Sequence, residues 1–223
     1  WLSHKAFEDA GVPVPTNWDE YVAAVPALVE AGKVPLALGN QPWQSNLLFS
    51  AVQIAIGGID LWKQVNLGKD AEAARSPEMA KVFQAMANAR EMAKESNVQD
   101  WNQATNLVIT GQAAGQIMGD WAQGEFQIAK QVAGVDYDCL PGLGTNPIVS
   151  TDGDAFYFPK LDDAEKSEAQ LELASVMFSA ETQVAFNLKK GSMPIRTDVD
   201  TSKANACMQK GLDLLKAGKI VPS

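Results

Sequence analysis

Apolar residues recur at helical spacing through most of this chain, and short apolar runs of strand length interrupt them. Residues 3–11 read as a short amphipathic helix, broken by Pro13 and Pro15. Thr16 is expected to cap a second helix, with Asp19 as a weak capping-box partner. Trp18, Tyr21, Val22, Val25, Leu28 and Val29 form its apolar stripe, and Gly32 ends it. Residues 34–38 read as a short strand, in which Pro35 marks an edge or a strand start. A polar loop over 39–44 leads into a mostly buried helix carrying Leu47, Leu48, Val52 and Ile56, closed by Gly57 and Gly58. Ser76-Pro77-Glu78 is a helix start, with a Ser cap and Pro at the first helical position. That helix is expected to bury Val82, Phe83 and Met86.

The same alternation continues downstream. Residues 101–111 read as a helix, 112–118 as a strand and 121–132 as a helix. Residues 137–142 read as a strand entering a Gly/Pro loop, and 155–158 as a buried strand ended by Pro159. Residues 163–178 are strongly helical, a further helix runs to about 187, and 203–217 form the last helix. Residues 219–223 are expected to end without a terminal element. Helices alternating with short strands, and no internal repeat, argue an α/β fold.

With 223 residues, 46% of them hydrophobic, the chain can bury the core of one large domain or two small ones. A net charge of −9, dispersed along the chain, disfavours nucleic acid and anionic membrane as partners. No apolar run reads as long enough to span a bilayer. The chain opens at Trp1 without a signal-like segment, and both ends read as cut, as expected of a fragment. Cys139 and Cys207 are too far apart for a metal knuckle or a redox pair, which leaves two buried thiols or one disulfide.

His4 is the only histidine and is expected on the solvated surface, which leaves no triad and no multi-histidine metal site. Asp152 and Asp154 flank Gly153; they could form a hydrolase acid/base pair, an acceptor for sugar hydroxyls, or an ordinary Asp-Gly turn. Lys190 could donate to a hydroxyl beside Asp154, or simply complement a helix C-terminus. Trp18 and Trp62 read as packing residues. Trp43, Trp101 and Trp121 each begin a helix beside polar residues, where ligand loops of α/β sheets gather. Trp121 follows the turn Gly119-Asp120, so a flat aromatic face stands next to a carboxylate. Such a face suits a pyranose, whose C–H groups stack on the ring while its hydroxyls bond to polar neighbours.

Five segments carry a family resemblance: 2–11 with Thr16-Asn17-Trp18-Asp19-Glu20, then 35–39, 108–121, Asp154-Ala155-Phe156, and 187–196 with its Lys190-Gly191-Ser192 turn. In order and spacing the chain resembles the extracellular solute-binding proteins of carbohydrate ABC transporters, the maltose-binding-like group, and within it the glucose-binding members. The resemblance implies a periplasmic-binding-protein-like α/β fold of the two-lobe type II class, represented here mostly by the C-terminal lobe. It implies that residues 1–138 form the main part of that lobe, that 139–189 cross to part of the N-terminal lobe, and that 190–223 return. It implies that Trp101 and Trp121 line a sugar pocket, that Asp154 and Lys190 hold hydroxyls, that Asp120 is a further ligand-binding residue, and that Trp43 flanks the site. It also favours a Cys139–Cys207 disulfide. The resemblance also implies N-terminal aromatics and a C-terminal ligand histidine that these residues do not supply, so half of the pocket is expected to be missing. The function implied is delivery of a monosaccharide, glucose first, to an inner-membrane permease, by a monomer in the periplasm or lipid-anchored outside the cell. No catalysis, cofactor or metal enters it; the alternative is a carbohydrate-active hydrolase using Asp152 and Asp154.

Overall fold

The structure is a computed structural model and describes residues 1–222. Along the chain run β1 (Leu2–Ser3), α1 (His4–Asp9), α2 (Trp18–Glu30), α3 (Pro42–Val52), α4 (Gly58–Asn66), α5 (Pro77–Met92), α6 (Trp101–Ile109) and α7 (Gln123–Ile128). Then follow β2 (Tyr137–Asp138), β3 (Val149–Thr151), α8 (Ala164–Met177), α9 (Ala180–Lys190), α10 (Ala206–Lys216) and β4 (Ile220–Pro222).

The caps are side chains that satisfy orphan amides at helix starts. Ser76 accepts from the Met79 amide at 3.1 Å and starts α5 where its Ser-Pro signal lies. At α2 the cap sits one residue later than expected. Asn17 accepts from the Glu20 amide at 3.0 Å, and the Glu20 carboxylate returns to the Thr16 amide at 2.8 Å.

Residues 34–37 and 113–116 lie side by side in parallel, with Val34 opposite Ala113 and Ala37 opposite Gln116. The Ala114 amide donates to Val34 at 2.9 Å and the Ala37 amide to Gly115 at 2.8 Å. The Leu36 amide turns away to the Met92 carbonyl at 3.3 Å, so the pairing is held by isolated bridges instead of one long strand. Leu2 bridges Gly115 on the other side, and β1 pairs antiparallel with β2. Gly39 meets Val98 on the far side.

The main core packs Phe7, Trp18, Tyr21, Leu28, Leu36, Leu48, Val52 and Val82 between this sheet and α1–α5. A second cluster joins Val108, Phe126 and Tyr137 to Cys139 and Cys207. Each such side chain contributes about 1.5–3 kcal/mol on burial. The two cysteines form a disulfide with Cα atoms 5.8 Å apart, tying the end of β2 to α10. Trp62 packs with Ile54, Ile148 and Val221 in a third cluster.

Several expectations are corrected. Helix α3 runs on through a π-helical segment Gln53–Gly57 and is closed at Gly58, φ +77°, as expected, but α4 then extends the helical stretch to Asn66, 25 residues from Pro42. By length and composition alone this run could cross a membrane, contrary to the expectation from apolar run length. Here its Leu48, Val52 and Leu61 sit in the core. Phe83 is exposed against Phe49, because only one face of α5, with Val82, Ala85 and Ala89, meets the core. The helix expected over 121–132 is a 3-10 turn, Asp120–Ala122, followed by α7, which ends at Ile128, a residue left exposed outside the core.

Residues 155–158 are not a buried strand. Phe156 and Tyr157 are 63% and 91% exposed, and no ladder partner lies beside them among the described residues. Helix α8 likewise buries no residue, and its Leu171, Leu173 and Val176 face outward. The C-terminal stretch does end in an element, since β4 pairs in parallel with β3. Ser223 lies outside the described residues. His4 is half-buried, with Nε2 3.5 Å from the Asp138 carboxylate, because α1 starts directly on the paired β1.

Candidate functional site

The three helix-start tryptophans lie along one hydrogen-bonded rim. Trp43 follows Pro42 at the start of α3, and its indole Nε1 donates to Gln41 Oε1 at 2.6 Å. Gln41 Nε2 donates to Asp100 at 2.6 Å. Asp100 caps α6, whose first residue is Trp101, in a capping box closed by Gln103. The Trp101 carbonyl accepts from Gln116 Nε2 at 2.9 Å, and Thr105 Oγ1 donates to Gln116 Oε1 at 2.7 Å. Gln116 is fully buried at the end of the segment paired with residues 34–37. Its amide donates to the Trp1 carbonyl at 2.9 Å, and the Trp1 indole reaches the Met118 carbonyl at 3.0 Å. The next residues are Gly119, Asp120 and Trp121. The reason for this layout is that α3, α6 and the 120–122 turn all start a few residues past the bridged Gly39, Val98 and Gln116.

Trp121 is half-buried, and its ring lies on Gly119. A Cβ built on Gly119 would stand 2.1 Å from the ring. Trp43 is 41% exposed and Trp101 half-buried. All three rings combine packing with a solvent-facing part, as an aromatic platform requires.

Asp120 has both carboxylate oxygens engaged. Oδ1 accepts from Ser192 Oγ at 3.0 Å, and Oδ2 accepts from the Met193 amide at 2.9 Å. This joins the Trp121 turn to the loop after α9. Lys190, the last residue of α9, pairs through Nζ with exposed Asp154 and lies 5.8 Å from the centre of the Phe186 ring. An exposed pair of this kind adds about 0–1 kcal/mol to stability, so it constrains the fold little. Asp152 is exposed and accepts from the Gly153 amide at 2.8 Å, closing a local turn.

Three glutamines not among the residues expected from sequence hold this rim: Gln41, Gln116 and Gln123. The available signal was a long polar side chain at a core position beside a tryptophan. Gln123 and Phe126, three apart in α7, are both buried. Such a residue persists in a core only when hydrogen-bonded.

Among the described residues, Asp138 with Cys139 and Cys207 is the one group placed like metal ligands, and its sulfurs are bonded to each other. A cavity of about 30 Å³ touches the rim at Trp1, Gln116 and Ile117. A groove of about 350 Å³ opens between Lys33, Val34, Asn97 and Leu107 and contains none of the predicted site residues.

Residues 1–184 match the family model described as bacterial extracellular solute-binding protein. The chain belongs to that family. It is 39% identical over 219 residues to a probable sugar-binding periplasmic protein of Rhizobium meliloti, covering 97% of this chain and 52% of the relative. A probable sugar-binding periplasmic protein of Brucella suis is also 39% identical, over 95% of this chain and 50% of its own length. Among solved structures, a chitin oligosaccharide binding protein superposes with a TM-score of 0.75 at 18% identity, over all of this chain and 57% of that one. The fold is therefore that of the α/β periplasmic binding proteins, and the chain spans about half the length of the curated relatives it matches. The family and these neighbours are binding proteins, not enzymes, and nothing among them supports the hydrolase reading of Asp152 and Asp154.

Proposed function

We propose that this chain is part of the sugar-binding component of an ABC importer, working in the periplasm or at the outer face of the cell. In this reading it binds a monosaccharide, glucose first, and hands it to the permease as a monomer. The observation that carries the proposal is the rim itself: Trp43, Trp101 and Trp121 stand at three helix starts linked through half-buried Gln41 and buried Gln116, with Asp154 and Lys190 tied to the same edge. Stacking rings beside a carboxylate and an ammonium offer both a C–H face and hydroxyl partners. The names of the sugar-binding relatives point to the same ligand class.

Trp101 and Trp121 are assigned to the ring faces, Trp43 to the flank, Asp154 and Lys190 to hydroxyls, and Asp120 to the border of the pocket. Residues 1–138 and 190–223 form one lobe, and 139–189 serve the other. Support comes from the uncovered apolar side chains of 155–158 and α8. Ligand contacts to both lobes would shift the population toward a closed form.

Equilibrium dialysis of the chain against labelled D-glucose, D-galactose and maltose tests this reading, with recovered sugar analysed for cleavage. Saturable retention of one unchanged sugar is the expected result. Retention of none, or release of cleaved product, overturns it.

A further inference from the structure

We infer that Gln123 is a positioning residue of this site, and that with Asp120 it clamps Lys190 and Trp121 into one unit. The inference rests on the sugar-site reading of Trp121 and Lys190.

Residues 120–124 and 190–193 meet backbone to backbone. The Gln123 side chain is 1% exposed, and its Nε2 donates to the Gly191 carbonyl at 2.7 Å. Asp120 accepts from the Ser192 hydroxyl and the Met193 amide, at 3.0 and 2.9 Å. Gly191 ends α9 in the left-handed region, at φ +84°. A Cβ there would stand 2.5 Å from Gln123 Cβ and 2.7 Å from the Gly124 amide nitrogen. A Cβ on Gly124 would stand 3.0 Å from the Lys190 carbonyl. Three hydrogen bonds and two glycine contacts therefore seal four residues of one loop onto the turn that carries Trp121.

This arrangement explains why a polar side chain is buried in a six-residue helix. The α9 C-terminus leaves carbonyls that need donors, and Gln123 supplies one from inside the core. Its Oε1 finds no partner among the described residues, so the side chain is retained for its donor. Lys190 holds its ammonium on a flexible four-carbon stem, and its exposed partner Asp154 cannot fix it. What fixes its origin is the clamp beneath the loop. Gln123 acts on a bound sugar only through Lys190 and Trp121.

The test compares Gln123→Met, which keeps volume and removes the donor, with Gln127→Met, one turn along and outside the clamp. Each variant and Lys190→Met are titrated with D-glucose. Gln123→Met is expected to weaken binding roughly fivefold to tenfold, the worth of one buried hydrogen bond. The Gln123→Met/Lys190→Met double variant is expected to lose less than the sum of the two single losses, because part of the Gln123 effect passes through Lys190 and the rest through Trp121. Hydrogen exchange supplies a sugar-free readout: the Gly191–Met193 amides should exchange faster in Gln123→Met, with the α2 and α5 amides unchanged. Additive losses in the double variant, or exchange that rises everywhere or nowhere, overturn the clamp. If the unaltered chain binds no sugar, the functional reading fails on its own. The exchange pattern then still decides for or against the clamp.

Discussion

Gly119 shows how one missing side chain shapes the rim. Its φ of −62° suits any residue, so glycine is not needed for the backbone. It is needed for space, since a Cβ would stand 2.1 Å from the Trp121 ring. Gly119→Ala should therefore push the ring off its seat at a cost of about 1–3 kcal/mol. Tryptophan emission should shift toward longer wavelength, with little change in helix content by circular dichroism. Unchanged emission would mean that the ring is held by other contacts. At this scale the sequence was partly legible. Trp18 and Trp62 are packing residues as expected, and Trp101 opens its helix behind an acidic cap. The glutamines were not legible, because polarity alone places a glutamine on the surface. Only a three-dimensional shortage of donors at buried carbonyls draws it inward.

Among the elements, local signals worked best where the cause was local. Ser76-Pro77 opens α5 as expected, while the α2 cap is Asn17, one past Thr16, and α9 runs to Lys190, beyond the expected end near 187. They failed where the partner lies far along the chain. The 155–158 stretch has strand composition, but no neighbouring backbone pairs with it among the described residues, so no ladder forms. The Cys139–Cys207 bond links elements 68 residues apart, and spacing alone could not separate it from two free thiols. Closing that loop restricts the unfolded chain by roughly 4 kcal/mol on the chain-entropy model. Reduction, or Cys139→Ser with Cys207→Ser, should lower the melting temperature on the order of 10 °C in a chain of this size. A melting curve unmoved by reductant would show that the bond does not hold β2 to α10.

The same junction carries a pH dependence. Burial pushes the Asp138 carboxyl up, but the Lys210 ammonium, the Cys139 amide and His4 together bring it below its ordinary value. Lys210 Nζ stands 2.9 Å from Asp138. A carboxylate depressed on folding contributes stability that is fully present above its unfolded value, about 3.9, and is lost as pH falls through its folded value. Lys210→Met should cost about 0.5–1 kcal/mol at pH 7, after allowance for partial exposure. The difference between the two proteins should shrink in denaturant titrations below about pH 4. A difference that stays constant as pH falls through the carboxylate range would place the effect of Lys210 in packing instead.

Across the whole molecule, the α/β class and the order of most helices were readable from periodicity and punctuation, but α4, β3 and β4 were not. The binding-protein fold was readable only through five spaced segments taken together. Net charge and the single histidine narrowed the chemistry by exclusion. What no local pattern carries is the rim, because its three tryptophans come from three helix starts brought together by parallel pairing of 34–37 with 113–116. The apolar side chains left outside on α8 and over 155–158 belong to this scale too. In the two-lobe proposal they mark the second lobe.

The most direct test of the sugar-site account is a titration of D-glucose followed by tryptophan fluorescence, in the unaltered chain and in Trp121→Ala, with galactose and maltose alongside. The account predicts a saturable change with glucose that Trp121→Ala loses. A chain whose emission stays flat with all three sugars, or a Trp121→Ala response equal to that of the unaltered chain, would contradict it.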